Sequence, residues 1–196
     1  MMAAATQADH DLARVHQLLG ARTDRGDEIG FILSGMGISY DFDYEDAIPL
    51  PWNMLLVGIC DADLLGVLVE NSGAYGLELA IQHWLHGAAP PCAIHLDWKT
   101  GERYERPSYY ALQMWTRHFG DVLLRNDVTC DTFDVPVRYG NVGPLYGIPY
   151  LAAHTSIAGD KLYLLVINRH LVDDIATAIH INGFLPQPRA PVYTDR

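Results

Sequence analysis

Two apolar runs, IGFIL (29–33) and LELAIQHWL (77–85), flank a stretch that reads as one long helix over 52–70. Short continuous apolar runs with β-branched and aromatic members suit strands buried on both faces. Such strands are parallel, and a crossover helix joins them. Residues 9–20 read as an earlier helix, with Leu12, Val15, Leu18 and Leu19 at helical spacing and Asp9 or Asp11 as its cap. Pro107 is placed to start a further helix running to about 118. Residues 9–118 therefore read helix, strand, helix, strand, helix, the alternation of βα units around a parallel sheet. Two strands make neither a closed barrel nor a stable open sheet, so this half reads as an incomplete unit.

After Gly120 the texture changes. VLLRN, VTCDTFDVPV, IPYLAAHTSI, KLYLLVIN and IATAIHING are short β-type runs parted by Asn, Asp, Gly and Pro. That is the pattern of an antiparallel sandwich. In the last run Ile175, Thr177, Ile179 and Ile181 are expected to supply one face of a strand. The fold class is α/β plus all-β, with one domain over 1–119 and a β-sandwich over 120–196.

Charge narrows the partners. The net charge is −11 and Lys99 and Lys161 are the only lysines, which excludes the clustered cations needed for nucleic acid or an anionic membrane surface. Cys60, Cys92 and Cys130 match no metal or redox spacing. Their odd number fits free thiols in a reducing compartment. The start of the chain has no basic and apolar leader pattern, and the most apolar run (54–69) carries Asp61 and Asp63. A cytoplasmic protein is expected. His83, His86 and His95 with Asp97 lie in a strand and loop rather than on one helix face, so no metal is expected, and no cofactor.

The stretch RPSYYALQMWTRHFGDVLL (106–124) is similar to the final barrel helix of α-L-arabinofuranosidases of glycoside hydrolase family fifty-one. LYLLVINRHLVDDIATAIHINGF resembles the sandwich that follows in those enzymes, where one strand ends in Val-Asn-Arg and a partner in Gly-Phe. Here the first reads Ile167-Asn168-Arg169. The resemblance implies a partial (β/α)8-barrel segment followed by an antiparallel β-sandwich. It also implies a retaining glycosidase, in which one Glu attacks the sugar and another protonates the leaving oxygen from about 5 Å away. The family's acid/base Glu follows an Asn, and this sequence holds no Asn-Glu pair. Its nucleophile stands in a pattern like Thr-Glu-Tyr-Gly-Ile. Against that pattern Ser34 matches the Thr, Gly37 and Ile38 match the Gly-Ile, and Gly35 falls where the Glu should be.

Other carboxylates make poor substitutes. Glu45 and Asp46 follow the first strand on the face where barrel active sites lie, yet they equally suit a solvated loop or a helix cap. Glu28 precedes that strand, and Glu70 and Glu78 flank a turn. On the family register Gln82 or Trp84 reaches a sugar pocket, Gln by hydrogen bonds and Trp by stacking. The alternative is that members of this strand simply pack the core. His154 and His180 read as ordinary histidines of a strand-rich region, and Asp173 and Asp174 as turn residues.

The resemblance thus implies a fragment or degenerate member of an arabinofuranosidase-type hydrolase, with carbohydrate as its partner and no activity alone. A non-catalytic carbohydrate-binding or assembly protein is the other reading. Either must cover its open sheet, by forming a homo-oligomer or by pairing with a complementing chain.

Overall fold

The computed structural model describes residues 2–36, 55–87 and 92–194. The first helix, α1 (Ala4–Arg22), leads through a short turn to strand β1 (Phe31–Met36). Helix α2 (Leu55–Tyr75) then leads to β2 (Leu77–Gln82), and β1 and β2 pair in parallel. The strand–helix–strand unit read from the sequence is present. Its limits differ in instructive ways. Asp9 and Asp11 lie inside α1, which has Ala3 before its first turn and no side-chain cap. Helix α2 runs through Asn71, Ser72 and Gly73, because Asn71 and Ser72 bond back onto the carbonyls of Val67 and Val69. It stops beside Gly76, whose φ of 69° favours glycine.

One face of the parallel sheet is covered. Leu12 of α1, Leu68 of α2, Met36 and Leu77 form a buried cluster, with Phe31, Leu33 and Ala80 packed against it. The opposite face is bare among the described residues. Ile32, paired with Leu79, is 57% exposed, and Leu79 and Ile81 are 49% and 45% exposed. Where helices ring a barrel from outside, this is the face that would point inward.

Between β2 and helix α3 (Pro107–Arg117) the chain folds its own small sheet from β3 (His86–Gly87), β4 (Ile94–Leu96) and β5 (Arg103–Glu105). Pro107 starts α3 as expected. Beyond Gly120 the strands are antiparallel. In one sheet β10 (Lys161–Asn168) pairs with β9 (Leu151–Ala158), and β9 pairs with β6 (Val122–Leu124). In the other, β7 (Thr132–Val135) pairs with β8 (Leu145–Pro149). The β7–β8 hairpin packs Leu145 and Ile148 around Ala3 at the start of the chain. The expected strand over 175–183 does not form. Ile179 and Ile181 are exposed, and the Thr177 hydroxyl bonds the carbonyl of Ile175. Alternation alone makes no strand where no neighbouring strand takes up the backbone groups.

Helix α2 is apolar on most sides because it is packed on most sides. Gly58 lets the backbone of Pro107 approach, and Gly66 lies under the ring of His154, where a Cβ would collide. Asp63 holds Arg169, just past β10, through two hydrogen bonds of 2.7 and 2.8 Å, and Arg169 also donates to the Pro149 carbonyl. The Trp115 indole donates to the Ala62 carbonyl and its ring lies 5.4 Å from that of His154. His154 Nδ1 stands 2.9 Å from Glu70 Oε1, an ion-pair distance without hydrogen-bond alignment. These contacts fasten the βα half to the antiparallel half. Arg169 is the last residue of the Ile-Asn-Arg run, so that motif serves the junction.

Candidate active-site face

The C-terminal ends of β1 and β2 bring Gly35, Gln82, His83 and Trp84 into one neighbourhood, but not onto one face. Leu33 pairs with Ala80, whereas Met36 pairs with Gln82. One extra residue of β1 is therefore accommodated between these pairs, as in a bulge. In unbroken register Gly35 would lie opposite Gln82 and share its face. The bulge turns Gly35 toward the bare face instead, where a Cβ on it would sit 3.5 Å from the Cβ of His83. The His83 N–H donates to the Met36 carbonyl at 2.9 Å, which fixes this crossing.

Gln82 lies with Met36 on the helix-covered side. Both ends of its amide are buried and have no hydrogen-bond partner among the described residues. Trp84 is 48% exposed, and its ring is 4.5 Å from that of His83. So of the two expected sugar contacts, Trp84 is open to solvent and Gln82 is not. His83, which the sequence offers only as a candidate metal ligand, is the neighbour of Gly35. The signal that could have found it was the parity of a strand carrying a bulge, which a sequence does not display.

Nothing about position 35 demands glycine. Gly35 is not among the glycines with positive φ, and the His83 contact at 3.5 Å is ordinary packing. A glutamate there has room for its first carbon. Ser34 is exposed on the same strand. Gly37, Ile38, Glu45 and Asp46 lie outside the described residues. Glu28 is engaged by Arg25 at 2.7 Å ahead of β1, and Glu70 faces His154, so neither points to the ends of the strands.

The remaining polar candidates have separate partners. His86 meets the Trp98 ring edge-on at 5.9 Å, and His95 stacks on Tyr104 at 4.6 Å. Asp97 accepts the N–H groups of Lys99 and Thr100, which lowers its pKa. Among the described residues no three His, Cys, Asp or Glu side chains form a metal-binding group. Asp173 accepts through its carbonyl from Asn168 and donates its N–H to His170, as a turn residue does. Two buried groups show the apolar character of the junction. Burial pushes the Cys60 thiol up to about 12 and the Asp61 carboxyl up to about 6. Among the described residues no helix is long and apolar enough to cross a membrane.

No protein-family model and no curated protein matches this chain. Solved structures do. The α-L-arabinofuranosidase from Thermotoga maritima, solved in complex with arabinose, matches with a TM-score of 0.67 at 23% identity. The thermostable GH51 α-L-arabinofuranosidase from Thermotoga petrophila gives 0.65 at 24% identity, and a third arabinofuranosidase gives 0.66 at 23%. Each match covers 85% of this chain and 34% of the enzyme. The chain spans about a third of the length of these enzymes, and over that span its fold is the fold of an α-L-arabinofuranosidase.

Proposed function

We propose that this chain is the C-terminal portion, or a degenerate member, of an α-L-arabinofuranosidase-type retaining glycoside hydrolase acting on arabinose-containing glycans. On this reading residues 1–119 are a truncated (β/α)8-barrel segment and 120–196 the β-sandwich domain. The observation that carries it is the bare apolar face of β1 and β2, helix-covered on its other side, in a chain that matches one third of each enzyme. Three free cysteines fit a cytoplasmic setting. Retaining hydrolysis needs two carboxyl groups about 5 Å apart. Gly35 stands at the position expected for the nucleophile, and its neighbour is an imidazole. The chain alone is therefore inactive. Trp84 is the stacking contact for sugar. Gln82 is the hydrogen-bonding contact, and it reaches sugar only by turning from the Met36 side, where its amide has no described partner to hold it.

A second reading, a non-catalytic carbohydrate-binding or assembly protein, is favoured by position 35 accepting a side chain yet holding none. Incubating the purified chain with an aryl α-L-arabinofuranoside tests inactivity. Release no faster than the spontaneous rate is expected. Sustained turnover by the chain alone overturns the claim that both catalytic groups are missing.

A further inference from the structure

Residues 175–185, IATAIHINGFL, hold no charged residue and no proline, and Ile175, Thr177, Ile179 and Ile181 alternate with small or polar neighbours. A disordered linker has the opposite make-up, poor in β-branched residues and rich in charge and proline. The chain runs without a bend from 173 to 181, yet makes no backbone-to-backbone hydrogen bond there among the described residues. Ile179 is 58% exposed and Leu185 95% exposed. Both flanks of this run are tied down. Before it, the Asn168 amide donates to the Asp173 carbonyl and Asn168 Oδ1 accepts the His170 N–H, both at 2.8 Å. After it, Tyr193 stacks on His118, just past α3, with ring centres 3.9 Å apart.

One sheet edge lacks a strand in the same way. β10 pairs with β9 alone, so its other edge is open among the described residues. Alternate N–H and carbonyl groups of such an edge have no ladder partner, and an extended segment adds there as a further strand. The lengths agree, since β10 covers 161–168 and the extended run 173–181. Leu164 and Val166, on one face of β10, are 36% and 44% exposed. The isoleucines of an added strand would continue that apolar stripe. The run leaves the β10 edge of its own copy empty. Arg169, the residue after β10, is held by Asp63 and by the Tyr150 carbonyl, and the Asn168 turn follows directly.

We infer that residues 175–181 are an exchanged strand, which adds to the open edge of β10 in a second copy of this chain while that copy's run adds to the first. Each copy holds one strand without an edge and one edge without a strand. A two-fold exchange satisfies both in each copy and closes the assembly at two. A partner of any other sequence on that edge would leave the run unpaired.

Sedimentation equilibrium with amide hydrogen exchange tests this on three chains: a parent, Ala178→Pro and Ile179→Pro. All carry Ile32→Thr with Leu79→Thr, which blunts the bare face of β1 and β2 as a competing contact. Proline removes one backbone N–H, and neighbouring N–H groups of a strand point to opposite edges, so one of the two prolines meets the new ladder. The parent should form a dimer, and the amides of 175–181 should become protected as its concentration rises. At least one proline should weaken the dimer ~ten-fold or more with the urea midpoint of the monomer unchanged, because the run belongs to neither core cluster. A monomeric parent overturns the exchange. So does a dimer that both prolines leave intact, which would be held by another surface. Protection of 175–181 at concentrations where the parent is monomeric overturns it too, because the run would then pair within its own copy.

Discussion

Replacing Asp61 by asparagine should change how the stability of this protein depends on pH, in a sense opposite to that of most carboxylates. Asp61 is 1% exposed, with one carboxylate oxygen lacking any hydrogen-bond partner among the described residues. Burial moves its pKa from 3.8 to about 6, and a hydrogen bond with Ser108 offsets only part of that. A carboxyl whose folded pKa lies above its unfolded value favours folding when protonated. Its contribution is fully present below the unfolded pKa and is lost as pH rises through the folded one. At 1.36 kcal/mol per pH unit the whole loss is ~3 kcal/mol, and about 2 kcal/mol of it falls between pH 4 and pH 7. Asparagine has the same shape and no charge to lose. Any fixed effect of its amide is the same at every pH and cancels. Urea unfolding of both proteins at pH 4, 5, 6 and 7 gives the comparison. The stability difference should drift by about 2 kcal/mol in favour of Asp61→Asn as pH rises. A difference that stays flat, or drifts the other way, refutes the claim that Asp61 is a buried, poorly compensated carboxyl.

Arg169→Ala leaves Asp63 buried without its partner and should cost ~3–5 kcal/mol, whereas Arg25→Ala, at a pair with both side chains mostly exposed, should change stability by less than ~1 kcal/mol. Comparable small losses in chemical denaturation would show that the junction is not held by Arg169. Gly66→Ala pushes a methyl group into the His154 ring and should cost ~1–3 kcal/mol; Gly20→Ala, with open space around it in α1, should be neutral or stabilising by up to ~1 kcal/mol. Gln82→Leu removes one buried amide, both of whose polar atoms lack a partner among the described residues, and should raise stability by ~1–3 kcal/mol, while weakening arabinose binding if Gln82 turns to the sugar; a loss of stability would mean the amide is satisfied. Ile32→Thr with Leu79→Thr should leave the unfolding midpoint nearly unchanged and reduce self-association in sedimentation, because both side chains face away from the core cluster.

Much of the fold was legible in the sequence because it rests on local signals. The apolar runs around residues 31 and 77 and the Pro107 helix start are such signals, and each element forms close to where it was expected. The failures lie where tertiary context outweighs them. The stop read at 71–73 gave way because Asn71 and Ser72 satisfy themselves on the helix and Gly76 supplies the turn. The strand read at 175–183 has the right period but no partner. At the site, Gly35 stands beside His83 and Trp84 is half-exposed, while Gln82 faces the helices. Gln82 lies two residues from Ala80, which packs on the core cluster, and one extra residue in β1 turns Gly35 away from that side; a bulge leaves no mark in residue types. The junction of Asp63, Arg169, Trp115 and His154 was equally hidden, because its members come from four separate stretches of chain and meet only in the fold.

The most direct test is a ¹⁵N-resolved NMR titration of the intact chain with arabinose. The predicted result is saturable shifts of the Trp84 indole N–H and of the backbone amides of Gly35 and His83, with the spectrum around Asp63 and Arg169 unchanged. A titration that leaves those signals in place, or moves only residues of the antiparallel sheets, would contradict a sugar site at the ends of β1 and β2.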